Sequence, residues 1–186
     1  MTALKLNLGS GMRPRPGYVN VDKFGDPDVL HDLETFPWPW PDDSVDEIVL
    51  CHVLEHLGQD PNVYLAIMKE MYRVCQANAR IQIEVPHFRS DNFFHDPTHV
   101  RAVTPHGLAL FSQRVNREWV ANGFPSSPLG LYLGVDFELV QTVVKPSHHW
   151  FRLHPGPAVD MELLHKESAL CNNLIAEFKM ELRVVK

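Results

Sequence analysis

The sequence has few cysteines, no long apolar run and fewer basic than acidic residues. Its three cysteines, Cys51, Cys75 and Cys171, are widely spaced and form no CxxC pair, which excludes a disulfide framework or a zinc knuckle built from them. No stretch approaches 18 apolar residues, and the N-terminus lacks a signal-peptide core. We therefore expect a protein of the reducing cytoplasm that does not enter a membrane.

The charge balance argues against a nucleic-acid partner. The chain carries 17 Lys and Arg against 23 Asp and Glu, a formal net charge of −6, whereas proteins that grip a phosphate backbone usually present a basic face. This charge favours a small or cationic partner instead. With 186 residues, 45% hydrophobic and 22% charged, the chain is expected to form one globular domain over residues 1–186. The one excess is in histidine, with eleven residues.

Apolar runs and turn signals predict strands that alternate with helices. Strands are expected at 4–8, 18–22, 29–31, 45–51, 80–85, 137–144 and 178–185. Helices are expected at 61–75, 105–121 and 158–176, the first two each opened by an Asp-Pro or Thr-Pro cap. This order predicts an α/β fold: a Rossmann-like, doubly wound and mostly parallel seven-stranded sheet with an antiparallel edge strand and a truncated first helix.

One strand fits this prediction poorly. Residues 80–85 alternate between polar and apolar side chains, whereas a central parallel strand should be apolar on both faces. Either one face of the sheet is only partly covered, or this strand lies near an edge.

A glycine-rich turn, Asn7–Gly11, directly follows the first strand, where α/β proteins bind nucleotides. A dinucleotide fingerprint requires a third glycine, but Pro14 stands there, and Asp22 follows Gly11 by eleven residues rather than by about 20. The helix that would bind a pyrophosphate is largely missing. An adenosine ligand without phosphates, such as S-adenosylmethionine, fits better than NAD or FAD.

The sequence resembles the class I S-adenosylmethionine-dependent methyltransferases, in the small branch with a VLEHL signature (methyltransferase type 11-like). The resemblance covers residues 4–86 and is carried by five segments in this order: 6–11 (LNLGSG), 21–22 (VD), 32–33 (DL), 45–49 (VDEIV) and 52–57 (HVLEHL).

The resemblance implies a set of cofactor-binding residues. In it, Gly9 and Gly11 line the methionine part of S-adenosylmethionine, Asp22 binds the ribose hydroxyls, and Asp32 with Leu33 flanks the adenine. Near the sulfonium it places Cys51 and His52, and Leu8, Ser10 and His56 complete the set. Because the first helix is missing, the partner of the methionine carboxylate stays open, with Arg13 or Arg15 as alternatives. Cys51 as a small buried hydrophobe, and Glu55 with His56 as a pair that orders a helix start, are open alternatives as well.

A histidine-rich segment, 86–106 (PHFRSDNFFHDPTHVRAVTPH), follows the fifth predicted strand. We expect residues 87–103 to form a lid over the substrate. The candidate catalytic residues are His95, His99, Asp96 and His52, because a positioned histidine accelerates proton transfer by about 10²–10⁴-fold. His87, Phe94 and Arg101 are the candidate substrate-binding residues. An alternative is that residues 96–99 form only a self-bonded turn.

The sequence therefore predicts methyl transfer from S-adenosylmethionine to an O or N atom of a small-molecule acceptor, with no resident metal ion and with a homodimer as one oligomeric state. Two alternatives stay open. One is a non-catalytic module that binds S-adenosylmethionine. The other is a metal-dependent hydrolase that uses the His and Asp residues of 87–106.

Overall fold

The computed structural model describes residues 3–186, which form one seven-stranded sheet. The strands are β1 (Lys5–Leu8), β2 (Val19–Asp22), β3 (Val29–Leu30), β4 (Val45–Cys51), β5 (Cys75–Pro86), β6 (Phe137–Pro146) and β7 (Ile175–Val184). Their order in the sheet is β3-β2-β1-β4-β5-β7-β6. β7 is antiparallel to both neighbours and lies beside the edge strand β6, whereas the pairs from β3 to β5 are parallel. The predicted mixed α/β sheet is confirmed.

The helices follow β4. They are α1 (Pro61–Val74), α2 (Asp91–Phe94), α3 (Pro105–Ala109), α4 (Gln113–Ala121), α5 (Leu129–Leu133), α6 (His148–Leu153) and α7 (Met161–Ser168), with a 3-10 turn at Leu54–His56. As predicted, Asp60 caps α1, and its side chain accepts a hydrogen bond from the backbone N–H of Asn62 at 2.8 Å. Within residues 3–186, no helix has the length and apolarity needed to cross a membrane.

Two predicted helices are wrong in extent. The helix expected at 105–121 is two helices, because the carbonyl of Leu110 accepts from Gly130 N–H and the Ser112 side chain caps α4 anew. The helix expected at 158–176 stops at Ser168. There the guanidinium of Arg89 binds the carbonyl oxygens of Ser168 and Ala169 at 2.7 and 2.8 Å, and these oxygens are therefore satisfied without a further helical turn.

The end of the first predicted helix near residue 75 is confirmed, but β5 begins earlier than the strand expected at 80–85. β5 begins directly at Cys75, which pairs with Val45 across a bulge in the β4–β5 ladder. The side chain of Gln76 donates to the carboxylate of Asp46. The ladder with β4 resumes at Arg80, opposite Glu47, and residues 76–79 form the irregular stretch between these two pairs.

The hydrophobic core lies on one face of the sheet. Leu6, Ile48 and Ile81, on three neighbouring strands, are fully buried and pack with Ile67 and Met71 of α1. Successive residues of a strand point to opposite faces, and these positions therefore define the face that the helices cover.

The opposite face, which we call the polar face, is held by ion pairs and hydrogen bonds between strands. Lys5 Nζ lies 3.0 Å from a carboxylate oxygen of Glu47, and Gln82 donates to Glu47 at 2.9 Å. Farther along, Lys179 Nζ lies 2.8 Å from Glu84. This arrangement explains the alternation in residues 80–85, because one side of this central strand faces helices and the other faces polar partners.

A proline-rich loop replaces the first helix. Between β1 and β2 no residue is helical in the described chain, which agrees with the predicted truncation. Asn7 donates to the carbonyl of Arg13 at 3.2 Å, Asn20 accepts from Arg15 N–H at 2.7 Å, and the Tyr18 hydroxyl donates to Glu47 at 2.8 Å. The loop is thus tied to the polar face through side chains.

The one-sided core predicts unequal effects of neighbouring substitutions in β5. Ile81→Ala should lower the free energy of unfolding by about 2–5 kcal/mol because it leaves a cavity under α1. Gln82→Ala, on the polar face, should cost less than about 1 kcal/mol. Urea denaturation of both variants measures the difference, and equal losses would show that both faces are packed alike.

Candidate functional site

Two clefts meet where the strand order reverses, at the carboxyl ends of β1 and β4, which is where open α/β sheets bind ligands. The inner cleft has a volume of about 190 Å³, and its walls include Gly9, Asp22, Asp32, Leu33, Val53 and His56. The outer cleft has a volume of about 750 Å³, and its walls include Arg13, His95, Asp96, His99, Lys145 and Glu177. His52 lines both clefts.

The turn after β1 requires its glycine for two reasons. Gly9 has a φ of 66°, and a Cβ atom placed on it would lie 2.4 Å from a methyl carbon of Val53. An L-amino acid with a side chain would therefore be strained in its backbone and would collide with the far wall of the inner cleft. The turn and the segment after β4 approach each other this closely only because Gly9 has no side chain.

Asp22, the last residue of β2, braces this turn. Its carboxylate accepts from the backbone N–H of Gly11 at 2.8 Å and from that of Phe24 at 3.0 Å. Since a carboxylate offers about four acceptor positions, two remain for a ligand in the inner cleft.

His52 forms the boundary between the clefts in an unusual backbone conformation. Its φ is 56°, a left-handed value that is uncommon for a residue other than glycine. Its Nδ1 lies 3.3 Å from Glu55 Oε1, and its Nε2 lies 3.8 Å from Glu177 Oε1. The Glu55 carboxylate raises the pKa of His52 against the opposing effect of burial. Glu55 therefore makes the ring of His52 easier to protonate than a histidine in water.

The predicted self-bonded turn at 96–99 is present. The Asp96 carboxylate accepts from the backbone N–H of Thr98 at 2.8 Å and from its hydroxyl at 2.6 Å, and these bonds lower the pKa of Asp96. The Thr98 hydroxyl oxygen lies 2.8 Å from Nδ1 of His56. Asp96 therefore orients His56 through Thr98.

Four of the predicted cofactor residues do not line the inner cleft. Leu8 is fully buried, Ser10 is nearly so, and Gly11 contributes its N–H to Asp22. Cys51 faces a depression on the polar face beside Glu84, and burial raises the pKa of its thiol. Leu8, Ser10 and Gly11 therefore act on the shape of the turn, and any contact with a ligand stays a prediction.

The three predicted substrate-binding residues line neither cleft. His87 is buried between the rings of Phe88 and Phe178, at centroid distances of 4.5 and 4.8 Å. Phe94 is 69% exposed. The guanidinium of Arg101 lies 4.1 Å from the ring centroid of Tyr64 and donates to the carbonyl of Gly58.

The sequence reasoning left several cleft residues unassigned. Val53 walls the inner cleft opposite Gly9, Lys145 and Glu177 line the outer cleft, and Glu55 is buried behind His52. The VLEHL segment offered a signal for Val53 and Glu55. Lys145 and Glu177 offered none, because only the pairing of β6 with β7 brings them together.

The environment of His87 predicts a pH-dependent stability. Burial lowers its pKa to about 4, and the unfolded chain therefore binds more protons than the native one between pH 4 and its ordinary value near 6.5. The free energy of unfolding is therefore highest above about pH 6.5, where the ring is neutral in both states. Below that pH it falls by up to about 1.4 kcal/mol per pH unit. In urea titrations from pH 7 to 5, His87→Phe should remove this loss. The exposed His148→Phe is the control, and parallel pH profiles of wild type and His87→Phe would contradict the assignment.

Comparison with known proteins agrees with this geometry. The family described as "Methyltransferase domain" matches residues 18–83, and a search of curated proteins finds no match. Among solved structures, a SAM-dependent methyltransferase from Archaeoglobus fulgidus is 18% identical, with a TM-score of 0.63 over 97% of this chain and 86% of that one. The YcgJ protein from Bacillus subtilis is 15% identical, with a TM-score of 0.54 over 100% and 93%.

A third similar structure contains a bound product and substrate. It is the 1,6-didemethyltoxoflavin-N1-methyltransferase of Burkholderia thailandensis with 1,6-didemethyltoxoflavin and S-adenosylhomocysteine, which is 13% identical with a TM-score of 0.52 over 99% of this chain and 72% of that one. At these identities the likenesses establish the fold. The fold is therefore that of solved S-adenosylmethionine-dependent methyltransferases, and residues 18–83 match the methyltransferase-domain family.

Proposed function

We propose that the protein binds S-adenosylmethionine in the inner cleft and transfers its methyl group to an O or N atom of a small molecule in the outer cleft. The observation that carries the proposal is the position of the Asp22 carboxylate. It is the last residue of β2, it braces the glycine turn after β1, and it keeps acceptor positions open to the inner cleft.

The residues of the inner cleft suit an adenosine. The Asp22 carboxylate can accept hydrogen bonds from both ribose hydroxyls. Such bonds are strong because the acceptor is charged. Leu33 and Val53 provide apolar surface for the adenine, with Asp32 beside them. Arg13 follows the glycine turn and lines the outer cleft, and of the two arginines considered it is the better placed to pair with the methionine carboxylate. Arg15 instead borders the depression on the polar face.

When bound, the cofactor supplies a methyl group on an electrophilic sulfonium. The protein holds the methyl donor and the acceptor in line, and positioning of this kind can lower the barrier by up to about 7–11 kcal/mol. Among the described residues, His52 alone lines both the inner and the outer cleft. His95 and His99 line the outer cleft, where the imidazole of His95 can accept the proton that an O–H or N–H acceptor loses.

The outer cleft suits a polar acceptor. Its walls carry the cations Arg13 and Lys145 and the carboxylates Glu84 and Glu177, and Lys145 Nζ lies 2.8 Å from Glu177. Its volume, about 750 Å³, lies within the usual range for small-molecule sites of about 300–1,000 Å³. The similar Burkholderia thailandensis enzyme is a 1,6-didemethyltoxoflavin-N1-methyltransferase, and this supports a small-molecule acceptor.

Cofactor binding can be measured by isothermal titration with S-adenosylmethionine and S-adenosylhomocysteine. Asp22→Ala should weaken both by about 1–3 kcal/mol because a charged acceptor of the ribose hydroxyls is lost. Asp22→Asn, which keeps an oxygen for the Gly11 N–H, separates this loss from a change in the turn.

Asp26→Ala is the matched control, since this acid stands in the loop after β2 and outside the walls of both clefts. Unchanged affinity in Asp22→Ala would remove Asp22 from the site. Failure of the wild type to bind either ligand at millimolar concentration would overturn the proposal.

Catalysis is tested by release of S-adenosylhomocysteine with a library of small O–H and N–H acceptors. If His95 accepts the acceptor's proton, His95→Ala should lower kcat by about 10²–10⁴-fold and leave cofactor affinity unchanged. His106→Ala, whose ring stacks on Trp119 away from both clefts, is the control. Binding without turnover over the whole library would favour the non-catalytic module.

A further inference from the structure

A buried carboxylate without a partner lies between the two clefts. Glu55 has 0% exposure, and among the described residues neither of its carboxylate oxygens has a hydrogen-bond partner. Glu55 Oε1 lies 3.3 Å from His52 Nδ1, which is an ion pair when that ring is protonated, whereas Oε2 has no hydrogen bond among the described residues. A buried carboxylate in this condition carries a large desolvation cost unless a positive charge reaches it.

Two histidines lie near this carboxylate, and the Nδ1 atom of each has a hydrogen-bond partner of its own. His99 Nδ1 lies 2.7 Å from the carbonyl oxygen of Phe93, which can only accept a hydrogen bond. Nδ1 of His99 therefore carries the proton, and its Nε2, which lies 4.0 Å from Glu55 Oε1, presents a lone pair.

The same reasoning applies to His56. The Thr98 hydroxyl donates its proton to Asp96, and its oxygen, 2.8 Å from Nδ1 of His56, is therefore the acceptor. Nδ1 of His56 carries a proton, and Nε2 is left with a free lone pair. A histidine whose Nδ1–H is held by a carbonyl or by a carboxylate relay is the usual arrangement behind a metal-binding imidazole.

The three side chains converge. One ligand atom each from Glu55, His56 and His99 lies within 4.8 Å of the other two, and the imidazole rings have centroids 4.6 Å apart. Two imidazole lone pairs beside a buried carboxylate repel one another unless a proton or a metal cation lies between them. We propose that Glu55, His56 and His99 bind a divalent transition-metal ion, of which Zn²⁺ is the best match to two imidazole nitrogens and one carboxylate oxygen.

The proposed site is open on one side. His99 lines the outer cleft and His56 the inner cleft, and a fourth ligand can therefore reach the ion from the ligand-binding edge. Three protein ligands with one open position are typical of metal sites that bind a water or a substrate oxygen. This differs from the sequence expectation of no metal and from the hydrolase alternative, because only His99 of the 87–106 segment takes part.

The test uses the whole chain, purified without a polyhistidine tag, stripped of metal and free of S-adenosylmethionine. Co²⁺ should bind with one equivalent and give visible ligand-field absorption, which one equivalent of Zn²⁺ abolishes. His99→Ala and Glu55→Gln should lose this signal. Thr98→Val, which removes the acceptor behind His56 together with the hydroxyl's bond to Asp96, should weaken binding by about 10–100-fold. Circular dichroism of each variant verifies that it is folded.

His95→Ala is the matched control, because His95 lines the same outer cleft but is not part of the cluster, and it should bind Co²⁺ as the wild type does. Absence of stoichiometric binding would overturn the proposal. So would binding that survives His99→Ala and Glu55→Gln but is lost in Cys51→Ser, since Cys51, His52 and Glu84 form the other described cluster with metal-ligand spacing. None of these outcomes depends on whether the protein binds S-adenosylmethionine.

Discussion

The sheet of this protein has helices on one face only, and the rest of the structure follows from this constraint. β1, β2 and β3 are followed by loops in the described chain, without a helix to bury their second face. The polar groups of that face must therefore find partners among themselves or in water. It does so with ladders of charge and amide groups, such as Lys5 and Gln82 around Glu47, and with a proline-rich loop tied down by Asn7 and Asn20.

The same constraint changes how the ligand edge is built. In a Rossmann-like fold with a complete first helix, the helix N-terminus contributes backbone N–H groups and a positive dipole to the ligand. Here the turn after β1 is held by side chains instead: Asp22 accepts from Gly11, and Val53 packs against the space left by Gly9. Arg13, which lines the outer cleft, is a nearby cation. A site of this kind is suited to an adenosine with one carboxylate rather than to a pyrophosphate.

The sequence predicted what depends on short-range patterns. β4 was predicted with the bounds it has, and the Asp60–Pro61 cap of α1 is present. Of the two explanations left open for the alternation in residues 80–85, the structure supports the partly covered face, because β5 lies inside the sheet. Errors arose where distant residues decide. Arg89 ends α7 from another loop, and no local signal announces this. The placement of His99 against Glu55 also depends on the loop after β5 folding back over the end of β4, which spacing along the chain does not show.

A crystal structure of the protein with S-adenosylhomocysteine tests most directly whether the inner cleft binds the cofactor. We predict ribose hydroxyls within hydrogen-bond distance of the Asp22 carboxylate, the adenine against Leu33 and Val53, and the sulfur directed toward His52 and the outer cleft. Nucleoside density in the outer cleft or on the polar face, with the inner cleft left to solvent, would contradict it.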